Sequence, residues 1–409
     1  MANLTIKSKI KFDRHVGSFL AVCFELLASG VGRLLRRNHK DIPFERLLIM
    51  KFKGMGSLAC AYPAILCVKK SHPNAEIIFW GSKQTIALAR ELNVFSSFIE
   101  LQDASYIGTF ISLTRNLTSI WKYRPQWTFD LEVYSNLASV LGLFTLSINR
   151  VGLIEGSTRF RKHLYTHLHY FNTMHYLGDL YTSMFIEYGG PEQRKETEIS
   201  LDYSEEMGIN THGEENVKSI IININSGELS SQRRWPLEKF RALIEKIFDN
   251  YPYEIVLTGT MEETELLNEL VRQLREPSRK RIRNAGGLLS LRDLMSLFKK
   301  GSLVITNDSG PLHLAVLMGS SIIALFGPTH PRHILPTGKN NIIPVYHNYI
   351  CSPCIHIIDS LPCDGTAPCM QSIEVDEVYS AIMNILDNPH RANDTKHHII
   401  SSSKIYERR

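Results

Sequence analysis

The sequence predicts an α/β protein of two doubly wound, Rossmann-like domains facing across a cleft, preceded by a basic amphipathic helix. Three observations carry this expectation. The chain has 409 residues, more than one hydrophobic core serves. Short apolar runs alternate twice with helix-length segments, the pattern of βαβ units and parallel sheets. Finally, a strand at 302–306 breaks at Asn307-Asp308-Ser309-Gly310-Pro311 and an apolar helix follows from Leu312. Such a strand, turn and helix start points backbone N–H groups and the positive end of a helix dipole at an anion.

In the first half, strands are expected at 47–50, 76–80, 98–101, 128–133 and 149–152, with helices at 58–70 and 85–92. A polar, aperiodic stretch at 203–217 reads as a linker. Beyond it come strands at 219–224, 254–257, 303–306 and 321–326, and helices at 237–248, 263–274 and 291–299. The expected domains are therefore a leading segment 1–42, domains 43–202 and 218–387, and a polar tail 388–409.

Hydrophobic residues make up 44% and charged residues 21%, ordinary for a globular protein. The net charge of +5 is unevenly spread: up to Lys40 there are eight Lys or Arg against Asp13 and Glu25, leaving the rest near −1. The body of the chain thus gives no sign of a nucleic-acid partner. The basic segment carries an apolar helical stripe, Val16, Phe19, Leu20, Cys23, Leu27, Val31 and Leu34. It is too short, with Glu25 too central, to span a bilayer, and no small-residue cleavage site marks a signal peptide. Two readings stay open: a helix lying on an anionic inner leaflet, or one packed on the first domain or a neighbouring subunit.

Asn307 to Ala315, with Phe326-Gly327-Pro328-Thr329, resembles the nucleotide-sugar signature of glycosyltransferase family nine, the bacterial heptosyltransferases. Leu48-Ile49-Met50-Lys51, Gly54-Met55-Gly56 and Tyr62-Pro63-Ala64 resemble that family's first strand, glycine turn and first helix. Arg233-Arg234-Trp235-Pro236 resembles its basic residue before Trp-Pro. The resemblance implies the two-domain fold called GT-B, a nucleotide-sugar donor in the second domain and an acceptor in the first.

Glycosyl transfer from such a donor needs a grip on the diphosphate, a base for the acceptor hydroxyl, and exclusion of water. The turn Ser309-Gly310-Pro311 is expected to supply N–H donors, Gly310 leaving room for the ligand and Pro311 fitting the first helical turn. Arg233 or Arg234 supplies the cation, and the resemblance favours Arg233. Asp308 is expected to orient the turn or bind a sugar hydroxyl, since two anions repel. His313 either donates to a phosphate oxygen or packs structurally. Gly259 lies at the carboxyl end of its strand, the ligand edge of such sheets. The resemblance places a carboxylate nearby on the nucleotide ribose, and Glu263 is the residue chosen; a helix-start acid is the alternative.

The base is where the sequence departs from the family. Family members carry Gly-Asp after the glycine turn, with that Asp as their proposed base; here the pair is Gly56-Ser57. A serine hydroxyl is no base at neutral pH without help. Glu132 is the favoured substitute, with late proton transfer to the leaving phosphate, or binding without catalysis, as the alternatives.

Four of the seven cysteines fall at Cys351, Cys354, Cys363 and Cys369. Cys-x-x-Cys with a later pair suits a closed, structural metal site, zinc or iron, or else two disulfides or four thiols. A reducing cytoplasm, where nucleotide sugars are made, disfavours disulfides. No catalytic metal is expected.

The expected function is an inverting glycosyltransferase. The resemblance implies ADP-heptose as donor and a lipopolysaccharide core, or a surface protein, as acceptor, at the cytoplasmic face of the inner membrane. A catalytically silent nucleotide-sugar-binding scaffold and a sugar epimerase of the same fold are the competing classes.

Overall fold

The computed structural model describes residues 6–35, 38–39, 42–188, 202–209, 218–226, 231–355 and 363–387. The tail expected at 388–409 lies outside them. The chain divides into two units, Met1–Thr197 and Glu198–Arg409.

The first unit opens with helix α1 (Ile6–Phe12), which runs through one π-helical turn (Asp13–Gly17) into α2 (Ser18–Leu35). Then follow β1 (Arg46–Lys51), α3 (Met55–Ser71), β2 (Glu76–Ser82), α4 (Lys83–Glu91), β3 (Ser97–Leu101), α5 (Tyr106–Tyr123), β4 (Trp127–Asp130), α6 (Asn136–Phe144), β5 (Asn149–Ile154), a 3₁₀ stretch (Gly156–Leu164), β6 (His167–Tyr170) and α7 (Leu177–Tyr188). All neighbouring strands are parallel, in the order β3-β2-β1-β4-β5-β6. Central β1 shows why the sheet is covered on both faces: Leu47, Leu48, Ile49 and Met50 form an unbroken apolar run and are fully buried.

The second unit repeats the scheme. It comprises β7 (Ser219–Asn223), α8 (Leu237–Asn250), β8 (Glu254–Thr258), α9 (Thr264–Gln273), α10 (Glu276–Arg279), β9 (Ile282–Asn284), α11 (Leu291–Lys300), β10 (Leu303–Asn307), α12 (Gly310–Leu317), β11 (Ile322–Phe326), α13 (Pro331–Ile334), β12 (Ile342–Tyr346), α14 (Pro368–Gln371) and α15 (Val375–Leu386). Its parallel order is β12-β11-β10-β7-β8-β9. Counted from its own first strand, each sheet has the doubly wound order in which the chain reverses direction beside that strand. Ligands bind at such a reversal, outside the carboxyl ends of the strands. In the first unit that point lies between β1 and β4, and in the second between β7 and β10.

The α/β fold of two doubly wound sheets is as expected, and several details differ. Strand β4 ends at Asp130, not at residue 133, so Glu132 sits in the following loop. The edge strands β6, β9 and β12 and helices α5 and α6 were not read from the sequence. Their signals are weak: β9 has three residues, Ile-Arg-Asn, and edge strand β12 contains Pro344. The described start of the expected linker is seated on the second unit. Tyr203 N–H donates to the Leu317 carbonyl at 2.9 Å, Asp202 pairs with Lys299, and Arg292 donates to the Gly208 carbonyl at 2.6 Å.

The leading helix packs on its own domain. Ala21, Leu20 and Phe24 meet Val140, Leu164 and Phe144, and the Phe24 and Phe144 rings stack edge to face at 5.0 Å. Asp13 accepts the Leu137 N–H at 2.7 Å, which supplies an acceptor to the first turn of α6. Among the described residues no helix is long and apolar enough to cross a membrane.

Candidate functional site

In the second unit the switch point gathers residues from three separate sequence landmarks. Trp235 is fully buried, its indole donating to the Ile373 carbonyl at 3.1 Å and its backbone N–H to Asn307 Oδ1 at 3.0 Å. Asn307 also donates from Nδ2 to the carbonyls of Ile224 and Asn225, at 3.0 and 3.3 Å. Asn307 is thereby engaged at both ends of its amide. It ties the β10 turn to the loop after β7.

With the loop pinned, Arg233 NH1 lies 3.2 Å from Asp308 Oδ2, which also accepts the Thr329 hydroxyl at 2.7 Å. Asp308 is 1% exposed, and both its partners neutralise or solvate a charge that burial alone disfavours. Asp308 thus holds the Arg233 guanidinium in place. Helix α12 starts at Gly310, with Ser309 as its N-cap and Pro311 in the first turn, where the missing N–H breaks no helical bond. Ser309 makes no capping bond; its hydroxyl lies 3.3 Å from that of Thr306. His313 follows on α12, and burial pushes its imidazole down to about 4 against the pull of Asp308. At neutral pH it is therefore uncharged and adds no cation.

Buried polar groups are nearly always paired, so an unpaired one calls for a partner from outside the chain, water or a ligand. Among the described residues, Arg233 Nε, Arg234 Nε and both amide atoms of Asn225 are buried without a partner. Asn225 was missed in the sequence, where it was one more polar residue after a strand. It lies beside Gly259, where an added Cβ would come within 3.2 Å of Asn225 Nδ2 and 3.1 Å of Glu263 Oε2. Glu263 accepts the Thr260 N–H at 2.8 Å in a capping box, the helix-start role that its position also suggested.

In the first unit, Gly54 takes φ +81°, a conformation open to glycine, and α3 begins at the next residue. Gly56 lies in the first turn of α3, and the Ser57 hydroxyl donates back to the Gly54 carbonyl at 2.9 Å. Glu132 reaches this turn from across the sheet. Its Oε1 accepts the backbone N–H groups of Phe52 and Lys53, both at 2.7 Å, and its Oε2 pairs with Lys51 at 3.2 Å. Three donors on two oxygens make Glu132 the anchor of the glycine turn. Its ion pair with Lys51 matches the salt-bridged acid that its position also allowed.

Behind Glu132 lies a buried network that the sequence did not disclose. Asp130 accepts the Glu132 N–H at 2.9 Å and the Tyr165 hydroxyl at 2.6 Å. Arg161, fully buried, donates to Tyr165, Ser139 and the carbonyls of Glu132 and Val133. Tyr181 donates to the Leu131 carbonyl at 3.0 Å. Burial raises the Asp130 carboxyl to about 6, with Arg161 and Tyr165 opposing the rise.

The four cysteines are unpaired as disulfides and lie near one another. Burial, with the neighbouring cysteines adding to it, raises the thiols of Cys354 and Cys369, the latter to about 12. Yet among the described residues no group of three His, Cys, Asp or Glu side chains could hold a metal ion. The knuckle read from the spacing thus has its cysteines together without a metal-ligating geometry.

Two doubly wound units, one with an arginine and a helix start at its switch point, give a fold of the GT-B type. A family model, glycosyltransferase family 9 (heptosyltransferase), matches residues 161–364. The lipooligosaccharide heptosyltransferase 2 of Campylobacter jejuni is 23% identical over 343 residues, covering 82% of this chain and 97% of that protein. Among solved structures, the Escherichia coli ADP-heptose lps heptosyltransferase II aligns with a TM-score of 0.64 at 17% identity, covering 84% of this chain and 99% of that one. The glycosyl transferase family 9 protein of Veillonella parvula aligns with a TM-score of 0.66 at 19% identity, covering 86% and 100%. The chain belongs to glycosyltransferase family 9.

Proposed function

We propose that this enzyme transfers a heptose from ADP-heptose, with inversion, to a lipid-linked envelope glycan of the lipopolysaccharide or lipooligosaccharide core type. The observation that carries the donor half is Arg233, aimed by Asp308 beside the start of α12. Breaking the glycosidic bond leaves charge on a diphosphate, and a buried guanidinium plus first-turn N–H groups stabilise it where it develops. The nucleotide and sugar are taken from the similar proteins, whose names carry ADP-heptose and heptosyltransferase. Asn225 and Arg234 are assigned to the same donor.

Glu132 acts by positioning the glycine turn. Inversion sets the acceptor hydroxyl opposite the departing diphosphate, so its proton passes to water or a carboxylate on the acceptor side as the new bond forms. Ser57 and the engaged Glu132 also favour the second reading, a nucleotide-sugar-binding protein without turnover. The cysteine cluster is a candidate structural metal site, which would require its thiols to deprotonate and close in; elemental analysis of the purified protein for zinc and iron decides it.

The test pairs binding with turnover. Thermal shifts are measured against ADP, UDP, GDP and CMP, and glycosyl transfer from ADP-heptose to delipidated core is followed by mass spectrometry. A shift with ADP and transfer of one heptose is expected. A shift without transfer would favour the silent binder, and no shift with any nucleotide would refute the donor site.

A further inference from the structure

The leading helix has two apolar faces, and its own domain uses one of them. Ala21, Leu20 and Phe24 turn inward. On the opposite side Phe19 and Leu26 are each 67% exposed, and Val22 is exposed between them. The face continues onto the start of α5, where Tyr106, Ile107 and Phe110 are exposed, Phe110 by 69%. Phe12 bridges the two helices, its ring centroid 5.4 Å from that of Tyr106. Single exposed apolar residues are ordinary, but a run of them across two adjoining helices marks a surface that binds something.

Charge says what. The chain up to Lys40 holds eight Lys or Arg and two acids, Asp13 and Glu25. Both acids are turned toward the domain, Asp13 onto the Leu137 N–H and Glu25 onto His163. Lys11 and Arg14 are exposed. The described part of the segment thus presents apolar side chains beside the exposed Lys11 and Arg14, on a stretch of net positive charge, complementary to anionic lipid headgroups over acyl chains. The same charge repels a second copy of this face. With no helix long enough to cross among the described residues, the contact lies along the surface.

We propose that α1, α2 and the first turns of α5 form one docking surface that seats the first domain on an anionic bilayer. Phe19, Leu26, Ile107 and Phe110 enter the headgroup–acyl boundary, and the basic residues meet the headgroups. The inference stands on this surface and does not depend on which sugar the enzyme moves. It goes beyond the helix considered alone, because α5 belongs to the domain proper.

The experiment is co-sedimentation of the full chain with phosphatidylcholine vesicles, with and without phosphatidylglycerol. Binding to the anionic vesicles at least about tenfold stronger than to neutral ones is expected, weakening as salt screens the charge. Two variants, Phe19→Glu/Leu26→Glu and Ile107→Glu/Phe110→Glu, act on separate helices, and each is expected to lower vesicle binding about tenfold or more. Unchanged circular dichroism and an unchanged ADP thermal shift establish that the variants are folded. Wild-type protein left in the supernatant with both vesicles overturns the proposal, as does either folded variant binding like wild type. A stable oligomer that these substitutions disperse, without vesicle binding, would assign the face to a second copy instead.

Discussion

Arg233 and Asp308 stand 75 residues apart in the chain and 3.2 Å apart in space, one in the turn before α8 and the other just after β10. The pair places a guanidinium at the sheet's switch point with Nε still buried and unpartnered among the described residues. Replacing Asp308 by Asn keeps the shape and removes the charge that aims the arginine. We expect Asp308→Asn to lower kcat/KM for the donor about a hundredfold, the scale of losing one preorganised charge contact. Arg233→Lys should not restore it in full, because an ammonium lacks the planar fork. Steady-state kinetics on both variants is the check, and wild-type rates in Asp308→Asn would discard the aiming role.

Glu132 and Lys51 are 4% exposed each, so truncating the acid strands a buried ammonium and frees two backbone N–H groups. Glu132→Ala should destabilise the protein by about 3–5 kcal/mol, measured by urea unfolding. Glu132→Gln still offers one oxygen to the Phe52 and Lys53 N–H groups. It should keep turnover within about tenfold of wild type, less than the loss of a general base brings. Abolished turnover in a stable, nucleotide-binding Glu132→Gln protein would return the base to this residue.

Asp130 predicts a pH effect whose sign follows from its raised pKa. The folded value of about 6 lies above the unfolded value near 4, so the native state holds this proton more tightly. Its stabilising contribution is present in full below about pH 4 and is lost as the pH rises through 6. Unfolding free energies measured across that window should fall more steeply for wild type than for Asp130→Asn, by up to about 1.4 kcal/mol per pH unit. Parallel curves would show that the Tyr165 and Arg161 contacts offset burial and leave the carboxyl at its unfolded pKa.

Asn225 leaves both ends of its amide unpaired in a site 2% exposed. An unpaired buried amide costs about 1–3 kcal/mol, so Asn225→Leu should raise the melting temperature of the ligand-free protein. The same change should shrink the ADP-induced shift, since the amide has lost its ligand role. A variant less stable than wild type with an unchanged ADP shift would make Asn225 a structural residue.

Much of this was legible residue by residue. The turn at Asn307 to Pro311, the glycine at position 54 and the arginines before Trp235 are local signals. A strand running apolar into a Gly-Pro turn commits its own backbone wherever the chain goes. Roles that depend on partners were not legible. The strut that Asn307 forms is one of these, because its amide meets Ile224, Asn225 and Trp235, which lie on a distant part of the chain. Glu132 read as a free carboxylate because no spacing rule connects it to Lys51, 81 residues away.

The sequence by itself thus determined two doubly wound domains, a Gly-Pro turn that opens a helix and a basic, apolar leading helix, since periodicity, turn chemistry and capping act within a few residues. Tertiary structure decided which arginine is aimed and by which acid, which carboxylate is occupied, and which face of the leading helix is left to solvent. Those outcomes follow from strand order, which brings distant residues within hydrogen-bonding reach and is set by how the whole sheet buries its two faces.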